Sequence, residues 1–337
     1  VTASGVAETL LASLAAILAF LGFFTEVKTR GFERRFPPAG ERVAMDGGAI
    51  HVVDTPAERV ERGAVLLLHG ASGNQADMAL ALARPLSALG FRVLAVDRPG
   101  HGWSSRSLGR RASSPTLQGE LIRAALARRG VRQAIVVGHS LAGALALALA
   151  LAAPQFVRGL VLLAPVSHPW PGDVHWYYRI AARPWIGWAF RRFIALPAGL
   201  LVLRAGVGAV FAPNATPSNY IEATGLKLAL CPRRFRANAE DVADLKPFVI
   251  AQSSRYPSIA APTEIVTGDC DGVVSASIHS VGCARDIPDS VLTVLPGIGH
   301  SPHHSATERV VAAILRAEQR AAARGAAGVE TRIAAAG

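Results

Sequence analysis

The stretch that decides the fold is Ile135-Val136-Val137-Gly138-His139-Ser140-Leu141-Ala142-Gly143. A run of β-branched apolar residues, as expected of a strand buried on both faces, ends directly in a serine. An alanine- and leucine-rich run, helical from Leu141 to Ala152, follows without a linker. A chain reversing that sharply needs small residues two before and two after the serine. Gly138 and Ala142 supply them. Such a turn lifts the hydroxyl of Ser140 off the sheet and aims the helix N-terminus at charge developing beside it.

Working outward, short apolar runs recur at Ala64–Leu68, Phe91–Val96, Gln133–Val137, Gly159–Ala164, Glu264–Thr267 and Val291–Leu295. Helical patterns fall between them, at Asp77–Leu89, Thr116–Arg129, Leu141–Ala152 and Glu308–Ala323. Alternation of this kind implies a mostly parallel sheet flanked by helices, an α/β fold. Before it, Arg42–Asp46 and Ile50–Val53 read as a hairpin turning at Gly47-Gly48. The rhythm breaks once, over 168–262. That interval holds Trp170, Trp176, Trp185 and Trp188, four of the five tryptophans, with Tyr177 and Tyr178. It reads as a helical cap inserted into the sheet domain. Its apolar run Phe193–Leu203 is too short to cross a bilayer and is bounded by Arg191-Arg192 and Arg204. The divisions expected are 1–36, 37–167 for the first part of the core, 168–262 for the cap, 263–319 for the second part, and a tail rich in Ala and Arg at 320–337. That tail reads as a fraying helix end or disorder.

These motifs resemble those of the α/β-hydrolase family. Gly138, Ser140 and Ala142 stand at the positions of its nucleophile elbow, G-x-S-x-G, with Ala142 in place of the last glycine and Gly143 one residue later. His69-Gly70-Ala71-Ser72-Gly73 matches the family's HG-x-x-G strand end. The resemblance makes the N–H groups of Ala71 and Leu141 the oxyanion hole and leaves His69 a loop-holding role. Asp97-Arg98-Pro99-Gly100-His101-Gly102-Trp103-Ser104 also looks like the family and is expected to shape a loop near the pocket. Gly268, Asp271 and Val274 fit a G-x-x-D-x-x-V loop, and Gly299-His300 the late G-H pair. The resemblance thus implies Ser140 as nucleophile, Asp271 as the acid and His300 as the base, in the family's chain order. Asp269 is the runner-up acid and more suited to the turn, while Cys270 reads as a small packing residue. The likeness runs from about Arg42 to Ala317 and implies an α/β-hydrolase fold with an inserted helical cap.

A serine at the elbow favours hydrolysis of an ester, thioester, lactone or amide through an acyl-enzyme, with no cofactor. The cap aromatics Trp170, Trp176 and Tyr177 are candidates to contact an apolar, ester-like small molecule. A carbon–carbon bond hydrolase and a cofactor-free haloperoxidase use the same residues. A non-catalytic membrane-tethered accessory protein would keep only the fold. His300, His303 and His304 crowd together, but no H-E-x-x-H pattern accompanies them, so no metal is expected. Three cysteines without a C-x-x-C pair argue against a disulfide framework and a zinc site. The formal charge of +11 comes from arginines scattered along the chain, without a nucleic-acid-binding signature, so nucleic acid is not the expected partner.

A membrane is the expected partner. Leu10–Phe24 carries no charge, and with Gly5–Thr9, whose one charge is Glu8, it approaches the ~20 residues that span a bilayer. Its basic residues, Lys28, Arg30, Arg34 and Arg35, follow the apolar run, and bulky Phe23 and Phe24 close it. This pattern suits an uncleaved single-pass anchor better than a signal peptide. The positive-inside rule then puts the catalytic domain in the cytoplasm.

Overall fold

The computed structural model describes residues 3–336, with side chains over 4–324. Val1, Thr2 and Gly337 of the two terminal segments lie outside the described residues. Eight strands form one sheet: β1 (Glu41–Met45), β2 (Gly48–Thr55), β3 (Gly63–Leu68), β4 (Phe91–Val96), β5 (Ala134–His139), β6 (Val157–Leu163), β7 (Thr263–Gly268) and β8 (Ser290–Leu295). Their order is β1-β2-β4-β3-β5-β6-β7-β8. The β1–β2 hairpin turns at Gly47, whose φ of +78° suits a residue without Cβ. From β4 to β8 every pairing is parallel.

The helices are α1 (Ala3–Arg35), α2 (Gln75–Ala88), α3 (Pro115–Ala127), α4 (Leu141–Ala152), α5 (Trp176–Ala181), α6 (Trp185–Phe190), α7 (Leu196–Phe211), α8 (Tyr220–Ala223), α9 (Pro232–Ser253), α10 (Ser280–Asp286), α11 (Pro302–Ser305) and α12 (Thr307–Ala336). One apolar layer packs α3 and α4 on one sheet face, through Leu66, Leu94, Ile122, Val136, Leu145 and Leu162. The other packs α2 and α12 on the opposite face, through Val65, Met78, Leu82, Val137, Val161 and Ile314. Alternate residues of β3 and β5 serve opposite layers, so both faces are covered and the strands read as continuous apolar runs. Each expected strand and core helix is present. At the C-terminal end, α12 continues through Ala336.

Between β6 and β7 the described secondary structure is entirely helical. One expectation there needs correction. Arg191-Arg192 does not bound the apolar run: helix continues from Trp185 to Phe211, through a π turn at Arg191–Ala195. Arg191 is buried and donates to the carbonyl of Ala181. Arg192 pairs at 3.0 Å with Glu26 of α1. The basic residues Lys28, Arg30, Arg34 and Arg35 belong to one long helix, α1, and its C-terminal half lies on the cap. Gly22 and Thr25 are buried at the crossing, where a Cβ on Gly22 would stand 3.2 Å from the Phe193 ring. Glu33 pairs with Arg234 at 2.8 Å and Arg35 with Glu222 at 3.0 Å.

Candidate active site

The elbow is built by close approach. Ser140 sits at φ 54°, ψ −122°, a strained conformation for a non-glycine residue. Its N–H donates to Leu163 O at 2.9 Å, and its carbonyl accepts from Gly143 N at 2.8 Å and Val166 N at 2.9 Å. A Cβ on Gly138 would lie 2.6 Å from Ala142 O and 2.8 Å from Ala146 Cβ. The alanine at the elbow's last position is fully buried in the apolar layer beneath the turn. The neighbouring glycine answers a different contact: a Cβ on Gly143 would meet Pro165 Cβ at 2.4 Å.

Loops leaving β5, β7 and β8 at one sheet edge bring three sequence-expected residues together, as expected of strand ends in such sheets. The Ser140 hydroxyl donates to His300 Nε2 at 2.8 Å. His300 Nδ1–H donates to Asp271 Oδ2 at 2.8 Å. The other Asp271 oxygen accepts from Val273 N at 2.8 Å and Val274 N at 2.9 Å, which fixes the carboxylate. Asp269 instead accepts from Gly297 N at 2.7 Å and joins the turns after β7 and β8. Cys270 is exposed, contrary to a packing role. Its hydrogen bond to Asp269 raises its thiol pKa, which disfavours a reactive thiolate.

Ala71 and Leu141 flank the serine, and neither amide donates to an acceptor among the described residues. The loop carrying Ala71 is gripped from several directions. His69 is fully buried, and burial pushes its pKa down to about 4, so the ring is neutral. Its Nε2 accepts from Arg98 N at 3.1 Å, leaving Nδ1–H to donate to Gly70 O at 2.9 Å. The buried guanidinium of Arg98 donates to His69 O at 3.1 Å and Gly70 O at 3.2 Å, and binds Asp241 of α9 at 2.5 Å. Asn238, also on α9, accepts from Ser72 N at 2.6 Å and donates to Ser72 Oγ at 3.0 Å. Asp97 is engaged elsewhere. It accepts from His51 Nδ1 at 2.6 Å, Gln75 N at 2.8 Å and Trp103 N at 2.8 Å, which closes the loop after β4.

Behind the site lies a buried histidine cluster. His139 Nε2–H donates to His300 O at 2.9 Å, supporting His300 from its backbone side. Asp77 accepts from Tyr220 Oη at 2.7 Å and His304 Nε2 at 3.0 Å, with His303 Nε2 at 3.3 Å. Burial alone would raise the Asp77 carboxyl, but the His303 and His304 contacts outweigh it and hold it well below the usual range. Asp77, His139 and His303 offer ligand-type atoms within 4.8 Å of one another. Tetrahedral ligands at 2.0–2.1 Å from zinc would stand only about 3.4 Å apart. The Asp77 oxygens are already engaged, so the cluster is accounted for as a hydrogen-bonded support.

The cap closes over the serine through Val242, Leu245 and Val249 of α9. These pack with Leu141, Val166 and Val274, and with the partly buried Ala71, Trp170, Tyr178 and Phe248. Of the aromatics expected to contact substrate, Trp170 joins this apolar wall. Trp176 does not, being 66% exposed with its ring against Tyr177 and Phe190. Tyr177 stacks on His175 and lies tilted against Tyr178. The ring that reaches the site is its neighbour Tyr178, whose hydroxyl stands 3.5 Å from Ser72 Oγ. Arg98–Asp241, Asn238 and Tyr178 were not found as site residues from sequence. Only the motif around Arg98 gave a signal.

A sequence model described as alpha/beta hydrolase fold matches residues 63–307. An uncharacterized protein of Mycobacterium tuberculosis is 26% identical over 257 residues, covering 74% of this chain and 73% of its own length. Among solved structures, a bacterial membrane phospholipase A is similar at TM-score 0.65 and 22% identity, over 93% of this chain and 97% of its own. An alpha/beta hydrolase fold protein from Nakamurella multipartita is similar at TM-score 0.59 and 26% identity, over 82% and 99%.

Proposed function

The chain belongs to the alpha/beta hydrolase family, and we propose that it is a serine hydrolase cleaving an ester-type bond of an apolar substrate. The observation that carries the reading is His300, hydrogen-bonded at 2.8 Å to both Ser140 and Asp271. In the proposed cycle, Ser140 Oγ attacks the acyl carbon while His300 Nε2 takes its proton. Asp271 holds the Nδ1–H tautomer and stabilises the imidazolium without accepting the proton. The Ala71 and Leu141 amides receive the oxyanion, a contribution of roughly 3 kcal/mol per donor. His300 then protonates the leaving alcohol or thiol. Water, deprotonated by the same nitrogen, releases the acid and restores Ser140.

The apolar wall of Leu141, Val166, Val242, Leu245 and Trp170 supports an acyl or alcohol group without charge. The α1 helix supports a lipid-derived substrate. Its exposed face carries Leu10, Leu11, Leu14, Ile17, Phe20 and Phe23. Ser4–Phe23, at 1.5 Å per residue, extends about 30 Å, the thickness of a hydrocarbon core. We read α1 as a membrane anchor with the catalytic domain on the cytoplasmic side, following Lys28, Arg30, Arg34 and Arg35. Protease protection on the opposite face would refute that orientation.

The test of the activity is labelling by a fluorophosphonate in detergent. Labelling of the wild type that disappears in Ser140→Ala is the expected result. Equal labelling of both proteins would remove Ser140 as nucleophile.

A further inference from the structure

The tryptophans at the outer end of the cap are neither its core nor its pocket. Trp185 is 89% exposed and Trp188 57%. On the same continuous helical stretch, Trp185–Phe211, Ile186, Ile194, Leu201 and Val202 are also exposed, Leu201 at 88%. Soluble surfaces carry scattered apolar residues, but a series of this size along one helix marks a surface that meets something. Two features identify what it meets. No aspartate or glutamate occurs from residue 174 to 221, whereas Arg183 and Arg204 are exposed. Indole rings backed by cations and free of acids are the chemistry of an anionic bilayer interface. The stretch is also continuous with α1, whose Gly22 packs on Phe193 and whose Glu26 binds Arg192.

We propose that the cap helix run Trp185–Val202 is a second membrane contact, lying in the lipid interface beside α1 and presenting the active site to the bilayer. This rests on the anchor reading of α1. A helix crossing the bilayer up to about Gly22 leaves the Phe193 crossing at the interface, so the flanking residues meet the headgroup region. The path from there to the serine is short. α5 and α6 pack on α9 through Ala181, Ala182, Phe190 and Ala239. The next residues along α9, Val242 and Leu245, pack with Leu141. An amphiphile drawn out of the bilayer would pass one helical layer to reach Ser140.

The test uses the full chain reconstituted in vesicles of phosphatidylcholine and phosphatidylglycerol. Flotation reports α1, and quenching of tryptophan fluorescence by acyl-brominated phosphatidylcholine reports the cap. Trp185→Phe/Trp188→Phe keeps both sites apolar, and circular dichroism checks its fold. The expected result is strong quenching of the wild type that falls about twofold or more in the variant, because Trp185 and Trp188 are the indoles carried on the proposed face itself. A Leu201→Ser/Val202→Ser protein should lose activity on a vesicle-embedded ester while keeping its activity on a short soluble ester. A chain that floats but shows the same quenching with and without Trp185 and Trp188 overturns the cap contact and leaves the anchor standing. Concentration-dependent cross-linking through this face, without quenching, also overturns it in favour of a second copy. A chain that does not float but is quenched through these two rings overturns the anchor and keeps the cap contact.

Discussion

Asp271→Asn isolates the electrostatic part of the proposed triad from its geometry. One oxygen of Asp271 accepts two backbone N–H groups, from Val273 and Val274, at 2.8 and 2.9 Å. An amide at 271 has one oxygen, and those donors claim it. Its NH2 group must then face His300 Nδ1, now 2.8 Å from Oδ2. A donor at that position forces the imidazole to carry its proton on Nε2. The ring then donates to Ser140 Oγ instead of accepting from it, and the serine has no base. Nothing in the packing changes, so the melting temperature should stay close to that of the wild type. A wrong tautomer and a lost counter-charge together lower kcat by about 10⁴, or about 5.4 kcal/mol at 1.36 kcal/mol per tenfold. Steady-state hydrolysis of a chromogenic ester, with the unfolding midpoint as control, measures both quantities. A fall in kcat of less than tenfold in a normally folded protein would refute the assignment of Asp271.

The grip of α9 on the oxyanion loop predicts that Asn238→Ala, which frees Ser72 N, lowers kcat about 10- to 100-fold by misplacing the Ala71 amide, with a smaller change in KM. Equal kcat in the two proteins would show that Ala71 needs no such support. At the elbow, Gly138→Ala should destabilise the fold by about 1–3 kcal/mol, because its Cβ meets Ala142 O at 2.6 Å. Chemical denaturation reads this out, and an unchanged midpoint would contradict the close packing. Acid should weaken the protein before its carboxylates protonate. His69 and His279 are pushed down to about 4 by burial, against 6.5 when unfolded. The unfolded chain therefore binds the extra protons, and stability falls as pH drops from 6.5 towards 4. For the fully buried His69 this amounts to about 3 kcal/mol. A urea midpoint that is flat over this window would show that these rings are not buried neutral.

What the sequence made legible is what local chemistry determines. A strand buried on both faces must be apolar throughout, so β3 to β7 stand out as runs. The elbow is legible because strain at Ser140 demands small neighbours within a few positions. Asp271 and His300 lie at strand ends, where turn residues mark them. The residues that escaped notice act across long separations. Arg98 finds Asp241 and Ser72 finds Asn238 through contacts between core and cap. No periodicity in α9 announces which polar residue faces inward. The continuous helix over Trp185–Phe211 escaped for a different reason. Arginines usually end an apolar run, but Arg191 is satisfied by a cap carbonyl and Arg192 by Glu26 of α1. The partner that absorbs each charge lies elsewhere in the chain.

The same contacts divide the cap into a fixed part and an accessible one. α9 is tied to the core at several points: Arg234 to Gly102 O at 2.6 Å, Asn238 to Ser72, Asp241 to Arg98, and Gln252 to Ala144 O at 3.1 Å. Moving α9 aside would break the contacts that hold the loop of Ala71, so on the proposed function opening along it would displace one of the oxyanion donors. The segment ahead of it is held more lightly. Tyr178 stands 3.5 Å from Ser72 Oγ, and Lys246 reaches Gly172 O from an exposed position. On the proposed function, displacement around Trp170–Tyr178 is the access that leaves Arg98, Asn238 and His300 in place. That segment leads directly into the exposed helix at Trp185. If both proposals hold, the route that spares the proposed triad and the route to a bilayer are the same.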